Sequence, residues 1–585
     1  MGGTRTYVGL STSCRRSSIA IVSSAGELQF AQGGERILER NGGPAYSETL
    51  ARLIDRYCNA ETEIVLALAT NNHPPDPHAG EPHLLGPRGP ETEAGNVQYE
   101  CRGAPMALRA GEATSAFAKR CQSQLLSHLE IAFGYELERV RGWKDGVLET
   151  RRYSTHLCHA AAACFTGPYA EALCAVLDGS DDHSCNCYVY KDGALFEMNP
   201  AHKPKREGSL GALYRDICNA CGFQAAFGEH WKVMALSRHG AFDSDIHNFL
   251  KAYVWAEGLS LRTVNQKDMI LLYDKLDAVS RRPGEPILSA ANLACTAQAI
   301  FEETLCTFLQ NLHATGVSDN LVFTGECVLN TSANGSILEC TAFKRLHIPS
   351  APDADGNAVG AALLAYQEDE HMMNAHPRFQ NPYLGFEFQG DEFEAAANGS
   401  TSCTVTQCDH DSAQQAARIL ATGKTVGWIN GRAEFASRTL GNRSVLADPR
   451  RAGAHPYISK NSADTIRPFG IAILHEYGSE YFDGYQTSPY GERALKFRLK
   501  AARKIPWAVQ RDDRPQVQSI RRDWNERLYD LIFAFYRITG IPLVMNMNYE
   551  VADGSLAETI EEVFVTFSKC KIDALFVDDM LIMKQ

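Results

Sequence analysis

From Tyr7 to Val22 the chain is a run of apolar and β-branched residues, broken by the polar stretch Ser11-Thr12-Ser13-Cys14-Arg15-Arg16. Ser24-Ala25-Gly26 then turns it into Glu27-Leu28-Gln29-Phe30, a pattern that predicts a β-hairpin. The same order recurs downstream. Leu173-Cys174-Ala175-Val176-Leu177 is followed by the polar loop Asp178-Gly179-Ser180-Asp181-Asp182, the strand Cys187-Tyr188-Val189-Tyr190, the turn Lys191-Asp192-Gly193 and a third strand from Ala194. Two matching hairpins, each offering a polar turn, suggest an internal duplication. Helical periodicity from Ala290 to Leu312 leads to the strand Asn320-Leu321-Val322-Phe323, then Thr324-Gly325-Glu326 and a second helical run. A strand ending in a glycine turn before a helix N-terminus is a platform for nucleotide phosphates.

Between Asp369 and Phe393 the pattern becomes polar and proline-bearing, which places a boundary between a domain of residues 1–375 and one of 378–585. Beyond it, a helix over Asp411 to Thr422 and the strand Thr425-Val426-Gly427-Trp428-Ile429 begin a region of mixed α and β character. With 585 residues the chain is too long for a single core, in keeping with this division.

Composition narrows the function classes. Hydrophobic residues make up 44% and charged residues 22%, as in ordinary globular proteins, and the net charge of -13 argues against nucleic acid as a partner. No basic, apolar and small-residue succession opens the chain, and no apolar run is long enough to span a bilayer, so a cytoplasmic protein without membrane contact is expected. Met1-Gly2-Gly3-Thr4-Arg5-Thr6 fits the myristoylation pattern, but the strand at Tyr7 follows too closely to leave a free arm, and the match is read as chance. The 18 cysteines are read as reduced, mostly buried thiols. His183, Cys185 and Cys187 with Cys218 and Cys221 have zinc-ligand spacings; alternation along a strand favours packing over ligation.

The densest chemistry lies in Gly431-Arg432-Ala433-Glu434-Phe435-Ala436-Ser437-Arg438-Thr439-Leu440-Gly441-Asn442-Arg443-Ser444, closing with Ala447-Asp448-Pro449-Arg450. Four arginines here, with Lys460 and Arg467 downstream, suit either a bidentate clamp on a polyanion or a solvated basic face. This stretch closely resembles the signature of the NodU/CmcH-type carbamoyltransferases. Further echoes run in the family's order: Gly222-Phe223 with Glu229 and Lys232 to Leu236; Phe323 to Asn330; Asp355 to Ala362; and Thr539 to Asn546.

The resemblance implies a duplicated actin-like (ASKHA) N-terminal domain, similar to the threonylcarbamoyl transferases, and a YrdC-like twisted-sheet C-terminal domain. It implies that carbamoyl phosphate and ATP form a carbamoyl-adenylate in the second domain. The first domain, with iron or zinc, then passes the carbamoyl group to a hydroxyl of a small molecule, often an antibiotic, a nodulation factor or a toxin. Carried over residue by residue, it places catalysis on His156, His159 and Asp178, and a metal on His159, Asp178 and Asp355. Donor and ATP phosphates fall to Arg432, Arg438, Asn442, Arg443, Lys460, Arg467 and Asn546. In the first domain the nucleotide falls to Arg15, Gly179, Gly325, Glu326 and Asn330.

The chain departs from the family pattern at several positions. Thr155 takes the place of the first metal-binding histidine and Ala354 that of the last acid; Arg15-Arg16 replace an acidic pair, and Glu326 replaces a glycine. Gln516 stands at an arginine position, and Met547-Asn548 replace a hydroxyl pair. Three readings therefore stay open: a carbamoyltransferase with an altered acceptor site, an adenylating enzyme with another acyl donor or an amine acceptor, and a noncatalytic homologue partnering an active enzyme. A homodimer is compatible with each.

Overall fold

The computed structural model describes residues 5–12, 17–34, 44–58, 63–70, most of 126–139, 148–179, 185–198, 207–370 without 226–227, 381–388, 393, 403–408, 411–451, and 469–584 without 512, 552–556 and 558. Arg15, His183, Lys460, Arg467 and the boundary itself lie outside the described residues, as do the first four residues on which the lipidation pattern rests.

The first hairpin forms as the pattern predicts. β1 (Arg5–Thr12) pairs antiparallel with β2 (Ser17–Val22), which pairs antiparallel with β3 (Leu28–Gly34), while β4 (Glu63–Thr70) and β5 (Leu148–Ser154) add in parallel on the other side of β1. β1 and β2 are buried nearly throughout, which is why both read as continuous apolar runs rather than alternating ones.

The second half repeats the first. β6 (Glu171–Leu177), β7 (Cys185–Lys191) and β8 (Ala194–Glu197) form the antiparallel arm. After a small hairpin of β9 (Trp255–Glu257) and β10 (Ser260–Arg262), β11 (Asn320–Thr324) and β12 (Arg345–His347) complete the parallel arm. Each five-stranded sheet therefore has its first strand in the centre, its second and third on one side and its fourth and fifth on the other. That duplication is the actin-like architecture.

The two sheets are joined through helices made of small residues. α1 (Pro44–Tyr57) precedes β4, and α2 (Thr155–Phe165) follows β5. α3 (Leu210–Ala220), α4 (Ala291–His313) and α5 (Thr331–Cys340) belong to the second half. α6 (Gly356–Glu370) crosses α2 and β1 so closely that a Cβ at Gly360 would lie 1.9 Å from the Cys158 carbonyl oxygen. A Cβ at Gly9 would lie 1.8 Å from that of Ala358. Glycine is required at both positions for steric reasons, whatever their dihedral angles.

The second domain is built on one nine-stranded mixed sheet. In chain order its strands are β13 (Cys403–Gln407), β14 (Val426–Ile429), β15 (Arg443–Ala447), β16 (Gly470–Leu474), β17 (Arg493–Ala494), β18 (Gln516–Ile520), β19 (Leu543–Asn548), β20 (Ala574–Val577) and β21 (Met580–Lys584). α7 (Ser412–Ala421) and α8 (Glu526–Thr539) pack together over one apolar core. α9 (Ile560–Lys569) lies over a second core, its start fixed by a capping box between Thr559 and Glu562.

The two domains meet along α5 and β17. Asn334 Nδ2 donates to the Glu492 carbonyl at 2.9 Å, Arg493 donates to the Leu346 carbonyl at 2.8 Å, and a Cβ at Gly335 would lie 2.0 Å from the Ala494 carbonyl oxygen. One expectation is corrected here. Cys306 of α4 and Cys340 at the end of α5 are joined by a disulfide across a Cα separation of 6.0 Å, so not every cysteine is a free thiol. Cys187, Cys218 and Cys221 are buried in one apolar core, and no metal-sized group of three His, Cys, Asp or Glu exists among the described residues.

Candidate active site

The first-domain cluster is set by a helix start and a strand end. Ser154 caps α2 by accepting from the Leu157 N–H at 3.3 Å, which fixes His156 and His159 within the first two turns. β6 ends at Asp178, whose Oδ1 accepts from the Gly179 N–H at 2.7 Å. His159 and Asp178 are both buried, with Nε2 and Oδ2 3.7 Å apart. Burial alone would raise the Asp178 carboxyl, but His159, His156 and the Gly179 N–H together hold it below the ordinary carboxylate range. Asn357 of α6 completes the cluster, its Nδ2 3.2 Å from His159 Nε2.

These residues do not fit the iron or zinc that the resemblance implied. The Asp355 carboxyl packs against β3, its Cγ 2.6 Å from where a Cβ on Gly33 would stand, and Asp353 Oδ1 accepts from the Asp355 N–H at 3.3 Å. His159, Asp178 and the neighbouring His156 remain, and they do not form a three-ligand group of the kind an open metal site uses. His159, Asp178 and Asp355 do not form a three-ligand group among the described residues.

Three of the residues expected at the nucleotide do come together. Gly325 has φ +101°, donates its N–H to the Pro352 carbonyl at 2.8 Å, and could carry no Cβ, which would lie 2.2 Å from the Leu177 carbonyl oxygen. A Cβ at Gly179 would meet Glu326 Oε2 at 3.5 Å. Gly211 of α3 faces Gly179 so closely that a Cβ there would be 2.3 Å from its Cα, a contact without any local sequence signal. Asn330 turns elsewhere: it accepts from the Ala333 N–H to cap α5 and exchanges two 3.0 Å hydrogen bonds with Gln298 of α4.

In the second domain the arginine-rich loop is organised around an acid. Glu434 Oε1 accepts from Thr439 Oγ1 at 2.9 Å and from the N–H groups of Leu440, Asn442 and Arg443 at 2.8, 2.8 and 3.0 Å. Arg443 is fully buried; its guanidinium donates to the carbonyls of Asn430, Asn442, Phe386 and Gly431 and stacks 4.3 Å over Phe388. Arg432 bridges to the carbonyls of Gln29, Leu384 and Gly385. Asn442 donates to the Arg432 carbonyl at 2.8 Å, and Asn546 to Gln518 Oε1 at 3.1 Å. The clamp of arginines suggested by the sequence is thus, for Arg432 and Arg443, a frame that holds backbone.

Arg438 differs. It makes no hydrogen bond to the described residues and lines a narrow cleft between the domains with Val328, Thr331, Ser350, Tyr490 and Glu492. Its surroundings enclose the guanidinium while part of its surface opens into the cleft. Burial lowers its pKa to about 10, against the opposing pull of Glu492. Burial likewise pushes the Glu492 carboxyl up, with the charge of Arg493 opposing it. Glu434 and Asn357 stand inside recognised motifs and could have been singled out; Glu492 could not, because it lies in none of them.

Two family models match separate stretches of the chain. Residues 109–363 match the family described as Carbamoyltransferase N-terminus, and residues 417–584 the one described as Carbamoyltransferase C-terminus. The chain is 27% identical over 473 residues to uncharacterized protein sll1178 of Synechocystis sp., covering 73% of this chain and 75% of that one. It is 28% identical over 445 residues to nodulation protein NolNO of Sinorhizobium fredii, covering 74% and 64%. Among solved structures, component A of the (R)-2-hydroxyglutaryl-CoA dehydratase of Acidaminococcus fermentans aligns with 62% of this chain and 99% of its own, at 11% identity and a TM-score of 0.33.

Proposed function

The chain belongs to the carbamoyltransferase family, and from that premise we propose that it uses ATP and carbamoyl phosphate to carbamoylate a hydroxyl of a small molecule, such as a natural product. In the second domain water takes the phosphoryl group of carbamoyl phosphate by cleavage of its P–O bond, inorganic phosphate leaves, and the carbamate oxygen so released attacks the α-phosphorus of ATP as pyrophosphate departs. The acceptor oxygen then attacks the carbamoyl carbon, AMP leaves, and the acceptor's proton passes to a base in the first domain. His156, His159 and Asp178 are the titratable groups proposed for that end.

The observation that carries the reading is Arg438. Among the described arginines of the loop it is the one whose guanidinium makes no hydrogen bond to the described residues, and it faces the cleft where the two domains meet. A guanidinium enclosed in this way binds a phosphate far more strongly than one in water, because the low local dielectric strengthens each charged contact. Glu434 supports Arg438 by holding the loop through four donors. The buried seam favours passage of the reactive adenylate between the domains without release, since a mixed carbamoyl-phosphate anhydride hydrolyses in water.

Incubating the full chain with ATP and labelled pyrophosphate tests the reading. Label should enter ATP when carbamoyl phosphate is present and not otherwise. Exchange that ignores carbamoyl phosphate would point to another acyl donor, and no exchange with any donor would leave a noncatalytic homologue.

A further inference from the structure

We propose that Asn357 keeps the His159 and Asp178 pair free of metal, its side-chain amide standing where a bridging cation would bind. The pair itself is spaced for an ion. A divalent ion about 2.1 Å from both ligand atoms separates them by about 3.4 Å at a tetrahedral angle, and by about 3.7 Å when that angle opens modestly. His159 Nε2 and Asp178 Oδ2 are 3.7 Å apart.

The amide occupies the remaining direction. Asn357 Nδ2 lies 3.2 Å from the same ring nitrogen, within hydrogen-bond reach, so an ion on that lone pair would have to displace the amide from it. Either face of the amide has this effect: its NH₂ donates to the Nε2 lone pair, and its oxygen would accept from an Nε2–H. In both arrangements the Nε2 lone pair is not available to a metal.

Nor can the side chain withdraw. Asn357 is 2% exposed, and its helix cannot slide away, because the glycines on either side of it are pressed against backbone. A Cβ at Gly356 would lie 2.2 Å from the Ala351 carbonyl oxygen, and one at Gly360 1.9 Å from that of Cys158. Asn357 is therefore a specificity residue: it selects a neutral, hydrogen-bonded imidazole over a metal-bound one.

This inference deepens the carbamoyl-transfer reading at its acceptor end, yet its readout needs no donor or acceptor, so its failure is distinct from failure of the exchange assay. The full-length protein is equilibrated with excess zinc or ferrous iron, dialysed extensively, and its metal content measured. The unmodified chain should retain less than a tenth of an equivalent at this site. Asn357→Asp, nearly isosteric, replaces the plug with a third ligand and should retain close to one equivalent, which a second substitution, His159→Ala, removes. Asn357→Ala opens the space without adding a ligand and should show intermediate, chelator-sensitive retention; it carries the test if Asn357→Asp does not fold. One equivalent in the unmodified protein that is lost on His159→Ala would overturn the proposal. So would folded variants at Asn357 with no gain in metal.

Discussion

Gln516 of β18 donates through Nε2 to Thr331 Oγ1 of α5 at 3.0 Å, so a residue at a family arginine position is used to join the two domains. Both side chains are buried. Thr331→Val removes the acceptor while keeping the volume, and leaves the Gln516 amide without that partner. A loss of about 1–3 kcal/mol in stability is expected. Denaturant unfolding of the full chain measures it, with Gln516→Leu in the same background showing whether the two losses are coupled.

Arg438 and Arg443, five residues apart, should respond in opposite ways to alanine. Arg443→Ala leaves four backbone carbonyls without their donor inside the domain, and a loss of several kcal/mol, on the order of 3–5, is expected. Arg438→Ala should leave the unfolding midpoint nearly unchanged and weaken the donor by about 2–3 kcal/mol, read as a rise in the KM for carbamoyl phosphate in pyrophosphate exchange. A destabilised Arg438→Ala with unaltered exchange would remove Arg438 from the donor site.

Stability should fall on acidification through His347. Its Nε2 is buried beside Tyr169, and burial with the nearby Arg493 charge lowers its pKa to about 3. Between that value and the unfolded value near 6.5 the unfolded chain binds the extra proton, so stability from this residue is complete above about pH 6.5 and is lost as pH falls toward 3. At pH 5 the loss is roughly 2 kcal/mol relative to pH 7. His347→Gln should reduce the difference in unfolding free energy between pH 7 and pH 5 by that amount.

Reduction should loosen the lobe that carries the seam. The Cys306–Cys340 bridge closes a loop of 34 residues. In the chain-entropy account such a loop contributes about 3–4 kcal/mol. Thermal unfolding with and without a reductant should show a lower midpoint in the reduced protein, and Cys340→Ser should abolish the difference. Equal midpoints would mean that the bridge contributes nothing in solution.

Periodicity and turn chemistry made much of the fold legible. The hairpin from Tyr7, its repeat from Leu173 and the glycine turn at Gly325 are all specified by residues adjacent in sequence, because strand pairing through a short turn and a positive φ are local properties. The family signature from Gly431 to Arg450 was legible for the same reason: it is one uninterrupted string.

What each member of that string does was not legible. Guanidinium groups of like appearance in sequence were separated by tertiary contacts: Arg443 received four carbonyls, Arg432 three, and Arg438 none. The metal expectation rested on spacing around His159, whereas the contact of His159 with Asn357, 198 residues further on, is made only by folding. By itself the sequence determined the hairpins, the duplication and the loop that carries the arginines, through interactions between near neighbours. Only the tertiary structure decided which charges face the cleft and which hold the frame, because hydrogen bonding and burial are set by partners that folding brings from hundreds of residues away.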